Sequence, residues 1–151
     1  MIFWLSLIVV FFADQITKYY VMTYYTIGQS KPFIDHILNI TYVQNPGAAF
    51  SMLAGKSWIS LVCAVIVMGT IVYYICKYKP GSSIQFFLGI MAGGALGNFI
   101  DRCLFNYVRD FFDLGWFPVF NVADIGIVCG GILLVVHLLF LDGSTENHER
   151  N

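Results

Sequence analysis

The sequence predicts an all-α membrane protein: four transmembrane helices with a small β-containing cap at one membrane face. Three observations lead there. Hydrophobic residues make up 58% of the 151-residue chain and charged residues only 11%, against about 25% charged in a soluble domain, so the charges are too few to keep this much apolar surface in water. Four apolar runs each approach the ~20 residues a helix needs to cross the hydrocarbon core. The remaining polar residues gather at the ends of those runs on one side. The length suits a single integral membrane domain. A net charge of −1 supplies no basic surface, and nucleic acid is not expected as a partner.

The first span covers about 3–20. No Lys or Arg precedes Lys18 and no small-x-small cleavage site follows, so it reads as a retained span rather than a cleaved signal peptide. The loop over about 21–56 contains Ile37-Leu38-Asn39-Ile40-Thr41-Tyr42-Val43, rich in β-branched and aromatic residues, which reads as a strand. Asn45-Pro46-Gly47 reads as a turn. Ser57 is placed to cap the second span, about 57–76, which Lys77-Tyr78-Lys79-Pro80-Gly81 ends. The third span, about 84–101, carries Gly89, Gly93 and Gly97, a stripe that lets another helix approach closely. No Gly-Lys-Ser/Thr follows it, so it is not a phosphate loop. A second loop over about 102–117 leads to the fourth span, about 118–141. Residues 142–151 form a polar tail for which no order is expected. Cys63, Cys76, Cys103 and Cys129 lie in or beside apolar runs and are expected to be small buried hydrophobes. His36 and His137 have no partner cluster, so no metal or other cofactor is expected.

Four spans place both termini on one side and the two large loops on the other. Asp14, Lys18, Asn45, Asn98, Asp101, Arg102, Arg109, Asp110, Asp113, Asn121 and Asp124 all fall on the loop side. Asn98 shares a helix face with Asp101 and Arg102, and Asp14 lies one turn before Lys18. With a fourth span starting at Pro118, Asp124 sits roughly 9 Å along it, and a carboxylate at that depth marks a functional candidate. Each signal has a plainer reading beside it. Asn121 with Asp124 also makes a helix cap. Asp101 with Arg102, and Asp14 with Lys18, also make interfacial ion pairs. Asp110 also suits a solvated loop. The shared location carries more weight than any one residue. Lysine and arginine counts leave the sidedness open, leaning toward the loops being cytoplasmic.

At these residues the sequence resembles the lipoprotein signal peptidases, the signal peptidase II family. The resemblance lies in five ordered blocks. They are Asp14-Gln15-Ile16-Thr17-Lys18, Asn45-Pro46-Gly47-Ala48-Ala49-Phe50-Ser51, Gly93 through Arg102, Val108-Arg109-Asp110-Phe111, and Phe120-Asn121-Val122-Ala123-Asp124. It implies an aspartyl endopeptidase of the bacterial cytoplasmic (inner) membrane that removes signal peptides from prolipoproteins, cutting before a diacylglyceryl-modified Cys. By motif position Asp110 and Asp124 are the catalytic pair. Asn45, Asn98, Asp101, Arg102 and Asn121 are supporting residues, and Asp14 is a more distant structural one. The polar face is extracytoplasmic on this resemblance, against the charge count. The implied partners are prolipoprotein substrates and membrane lipid, and the enzyme is expected to be a monomer. Pro46 departs from the small polar residue usual at its position, and the stretch from Phe111 to Phe117 is short for the family.

Peptide hydrolysis with two carboxyls needs one to accept a proton from water and the other to donate one. Two carboxylates a few Å apart resist double ionisation and share a proton. A proton-coupled carrier would place ionisable groups near mid-membrane and show an internal repeat; spans two to four carry no mid-span charge and no repeat is visible. A non-enzymatic assembly factor would tolerate loss of either aspartate.

Overall fold

The computed structural model describes residues 1–47 and 57–142. Four helices are long and apolar enough to cross a membrane: α1 (Ile2–Tyr24), α2 (Ser57–Tyr78), α3 (Ser82–Phe105) and α4 (Val122–His137), the last running on through a π-helical turn, Leu138–Asp142. Strands β1 (Ser30–Ile34) and β2 (Leu38–Asn45) lie between α1 and α2, and β3 (Val108–Asp113) lies between α3 and α4.

Helix α3 sits at the centre because its small residues open two of its faces. A Cβ added at Gly93 would stand 2.6 Å from the Leu7 carbonyl oxygen, and one at Gly97 would meet the Asp14 carboxylate. On the other face, Gly94 lies against the Ala123 carbonyl, and a Cβ on Gly130 of α4 would stand 2.8 Å from the Phe87 carbonyl oxygen. These contacts run in the same order along α1 and α3 and in opposite order along α4, so α1 is parallel to α3 and α4 antiparallel. The predicted glycine stripe is therefore the α1 seam. Helix α2 packs more lightly, through Ile71 against Leu88 and Ala92. Trp4, Leu5, Ile8 and Phe12 of α1, Val62, Val65 and Ile66 of α2, and Val128 and Ile132 of α4 are exposed, as expected of helices whose outer solvent is lipid rather than water. All four cysteines are exposed as well. Their apolar neighbours face outward with them, so in this chain an apolar setting does not mean burial.

The strands form one antiparallel sheet in the order β1-β2-β3. It packs on the end of α1 through a cluster of Val21, Tyr42 and Phe111. The strand expected from sequence is β2, and β1 and β3 add to it. Ile40 pairs with Phe112, but Val43 pairs with Asp110, so β2 carries one extra residue there. Such a bulge bends the strand and re-aims side chains, here beside Asp110.

Two helix boundaries differ from expectation in ways that matter for function. Helix α3 continues to Phe105 and is closed by Asn106 at φ 62, whose N–H donates to the Arg102 carbonyl. Asp101 and Arg102 thus lie within the last turns of α3 rather than at its exit. Helix α4 begins at Val122 because the backbone of Phe120 is hydrogen-bonded to Phe111 and Phe112 of β3. Asp124 therefore occupies the first turn of α4 rather than its second. Residues 48–51 of the second motif block, the capping side chain of Ser57 and the tail beyond residue 142 lie outside the described residues.

Candidate active site

The polar residues meet where α1 and α3 end, α4 begins and the sheet covers them. Asp110 arrives on β3 and Asp124 on the first turn of α4. Each carboxylate oxygen of both residues accepts an N–H. Asp110 Oδ2 accepts from Asn45 Nδ2 at 2.9 Å, and Oδ1 from Asn121 Nδ2 at 2.6 Å. Asp124 Oδ1 accepts from Asn98 Nδ2 at 2.8 Å, and Oδ2 from the Asn121 backbone N–H at 3.1 Å. Asn121 thus touches both carboxylates, one through its side chain and one through its backbone.

The three asparagines are oriented by groups that can only donate. The Gly47 N–H donates to Asn45 Oδ1 at 3.0 Å, the Asp124 N–H to Asn121 Oδ1 at 3.0 Å, and Lys18 Nζ to Asn98 Oδ1 at 2.9 Å. With each amide oxygen taken, the amide nitrogen must face a carboxylate. The turn read at Asn45-Pro46-Gly47 performs the first of these, with Gly47 at φ 89, a conformation that favours glycine. The capping box at Asn121 and Asp124 performs the second. Cap and functional site are one set of bonds.

Asp110 is 2% exposed and Asn121 fully buried. Burial pushes the Asp110 carboxyl up to about 7; the hydrogen bond from Asn45 pulls it back, the charge of Asp124 adds to the rise, and the bond from Asn121 pulls it back again. Burial is the main cause of the rise, and the second carboxyl adds to it.

A buried ionic layer lies below. Lys18 Nζ is 2.8 Å from Asp14 Oδ2 and 3.4 Å from Asp101 Oδ2, with all three side chains fully buried. Asp14 Oδ1 accepts the Ala123 N–H at 2.9 Å, so Asp14 fastens the start of α4 to α1. The resemblance placed Asp14 at a distance; the structure places it in the same network, one lysine away from Asn98. Asp101 pairs with Arg109, Nη2 to Oδ1 at 2.6 Å, and also accepts the Arg109 backbone N–H at 2.9 Å. The ion pair of Asp101 with Arg102, the plainer reading of these two residues, does not form: neighbours in sequence on a helix do not face each other, and Asp101 is taken by Arg109. Arg102 Nη1 instead donates to the Asn98 carbonyl at 3.2 Å. Its Nε is buried without a hydrogen-bond partner among the described residues. Arg102, Asn98 and Asp124 form the polar end of a groove of about 350 Å³ between α2, α3 and α4, whose other walls are Cys63, Ala64, Val67, Met91, Ala95 and Ile127.

A family model described as Signal peptidase (SPase) II matches residues 6–140. The chain belongs to the signal peptidase II family. It is 46% identical to the "Lipoprotein signal peptidase" of Syntrophomonas wolfei, covering 99% of this chain and 98% of that one. It is 42% identical to the protein of the same name from Bacillus velezensis, covering 97% and 99%. A solved structure described as a "Bacterial membrane enzyme structure" superposes with a TM-score of 0.85 at 38% identity, covering 91% of this chain and 92% of the other.

Every site residue named from sequence in this family member, namely Asp14, Asn45, Asn98, Asp101, Arg102, Asp110, Asn121 and Asp124, is brought to one end of the bundle. Three more join them: Lys18 and Arg109, expected at the same face but given no site role, and Gln15, which stood only within a motif block. The Asp14 to Lys18 spacing was a usable signal, since a lysine one turn from an aspartate on a span has to be buried with it or reach the interface. The pairing of Arg109 gave no signal, because its partner Asp101 lies across a turn from it. His36 sits in the β1–β2 turn with φ 61, and His137 packs edge-on to Phe87 with ring centroids 5.7 Å apart.

Proposed function

We propose that this chain is a membrane aspartic endopeptidase that removes signal peptides from bacterial lipoprotein precursors, with Asp110 and Asp124 as its catalytic pair. The observation that carries the assignment is the single asparagine, Asn121, bonded to both carboxylates, one of which, Asp124, lies with Asn98 and Arg102 at the polar end of an apolar groove. The groove suits a substrate whose apolar segment stays in the bilayer while its scissile bond reaches the carboxyls.

One carboxylate takes a proton from water, and the resulting hydroxide adds to the scissile carbonyl carbon. The other carboxyl gives its proton to the carbonyl oxygen. Collapse of the tetrahedral intermediate then breaks the C–N bond, with a proton passing to the leaving nitrogen. The pair titrates as a unit. Charge balance supports a single shared proton. Asp14, Asp101, Asp110 and Asp124 face Lys18, Arg102 and Arg109, so four negative and three positive charges become neutral when the pair holds one proton.

The same reading places the polar face outside the cytoplasmic membrane, sets the cut before a diacylglyceryl-modified Cys, and has the chain act as one integral membrane domain and a monomer. Changing Asp110 and Asp124 singly to Asn tests the pair. Each variant is expected to lose about 10³-fold or more in prolipoprotein cleavage, on the scale of removing an acid–base group. Wild-type turnover in either variant would remove that residue from the reaction.

A further inference from the structure

Beneath the carboxylate pair, one neutral side chain joins three elements. Gln15 of α1 directs Nε2 at Asp14 Oδ2 (3.1 Å), at the Gly97 carbonyl of α3 (3.2 Å) and at Asp101 Oδ1 (3.2 Å). Its Oε1 accepts from Arg109 Nη2 of β3 at 2.9 Å. The orientation is forced, since a guanidinium only donates while carboxylates and carbonyls only accept. No other side chain of this size supplies both roles without charge. A glutamate here would set a third carboxylate beside Asp14 and Asp101, and a methionine would leave Arg109 one acceptor short.

Arg109 is the peptide neighbour of Asp110, and its backbone is held on both sides. Its N–H donates to Asp101 Oδ2 at 2.9 Å, and its carbonyl accepts from Asn121 Nδ2 at 3.5 Å. The guanidinium lies 4.7 Å from the Phe105 ring centroid. Successive side chains of a strand point to opposite faces, so anchoring Arg109 in the bundle fixes the direction in which Asp110 points.

We propose that Gln15 is a positioning residue for the peptidase reaction: by holding the Arg109–Asp101 pair against α1, it fixes β3 so that Asp110 meets Asp124 in working geometry. This rests on the assignment of Asp110 and Asp124 as the catalytic pair. Gln15 bonds to neither of them, so its influence on the reaction passes through Arg109.

The test uses purified full-length protein in detergent and a diacylglyceryl-modified lipoprotein-precursor peptide, with folding of each variant followed by gel filtration and thermal unfolding. Gln15→Met is expected to lower kcat about tenfold or more, because small misplacements of a reacting group cost this much, while KM stays within about twofold. Arg109→Lys keeps the charge and loses the fork. Adding Gln15→Met to it is expected to lower kcat by less than about twofold further, since both changes act on one link. A Gln15→Met enzyme with wild-type kcat, or two losses that multiply in the double variant, overturns the proposal. Should Gln15→Met not be recovered folded, Gln15→Asn, which retracts the amide by one methylene, is held to the same criteria. Asp110→Asn is measured alongside. If it is inactive while Gln15→Met behaves as wild type, the role of Gln15 alone falls. If it is fully active, the catalytic pair falls and the role of Gln15 with it.

Discussion

Replacing Asp110 with Asn should change how stability depends on pH as well as activity. In the folded protein the Asp110 carboxyl is held up to about 7 from the ordinary 3.8, and at about 1.4 kcal/mol per pH unit the interval corresponds to roughly 4 kcal/mol. Between those two values the folded state holds a proton that the unfolded state has released. Wild-type stability therefore falls as pH rises from about 4 to about 7 and levels off above. The variant cannot ionise there, so this fall is absent. It carries a different penalty, because both Asp110 oxygens accept amide N–H groups and Asn offers only one acceptor. An unmatched buried amide costs about 1–3 kcal/mol. Asp110→Asn should thus be less stable than wild type at pH 4 and equal to it or more stable at pH 8.5. Thermal unfolding in detergent, followed by tryptophan fluorescence across that range, measures the crossing. Parallel curves for the two proteins would refute the burial-driven rise at Asp110.

Other outcomes follow from the same contacts. The wild-type rate should fall about tenfold per pH unit above about 7–8, as the shared proton is lost, which a pH–rate profile reads directly. Asn45→Ala removes a hydrogen bond that favours the ionised form of Asp110, so that alkaline limb should move to higher pH while kcat falls. Lys18→Met leaves the buried carboxylates of Asp14 and Asp101 short of a cation and should lower stability by about 3–5 kcal/mol, measured by denaturant or thermal unfolding. Gly97→Ala presses a methyl group into Asp14, whereas Gly69 has open space around it. The first should lose about 1–3 kcal/mol and the second should be near neutral in the same assay.

Much of the bundle was legible in the sequence because a membrane imposes one simple requirement, length with apolarity, and four segments meet it. The glycine stripe correctly announced a close helix seam. The boundaries were less legible because they depend on tertiary bonds. The span was expected to start at Pro118, yet the backbone of Phe120 is committed to Phe111 and Phe112, which delays α4 to Val122 and puts Asp124 in its first turn. Strand β3 gave no alternating pattern because Val108, Arg109, Asp110 and Phe111 are all buried. The convergence of polar residues could be read from topology alone, but the selection of Asp110 from among the acidic residues came from family resemblance. The pairing of Asp101 with Arg109 rather than Arg102 could not be read at all, since it requires β3 to fold back over the end of α3.

The central claim is that the paired carboxyls of Asp110 and Asp124 hydrolyse one peptide bond in a lipid-anchored precursor. Its most direct measurement is mass spectrometry of the products from purified wild-type, Asp110→Asn and Asp124→Asn proteins acting on a diacylglyceryl-modified precursor peptide. A single cut immediately before the modified Cys by the wild type, absent in both variants, is the predicted result. A cut elsewhere, or the same cut at wild-type rate by either variant, would contradict it.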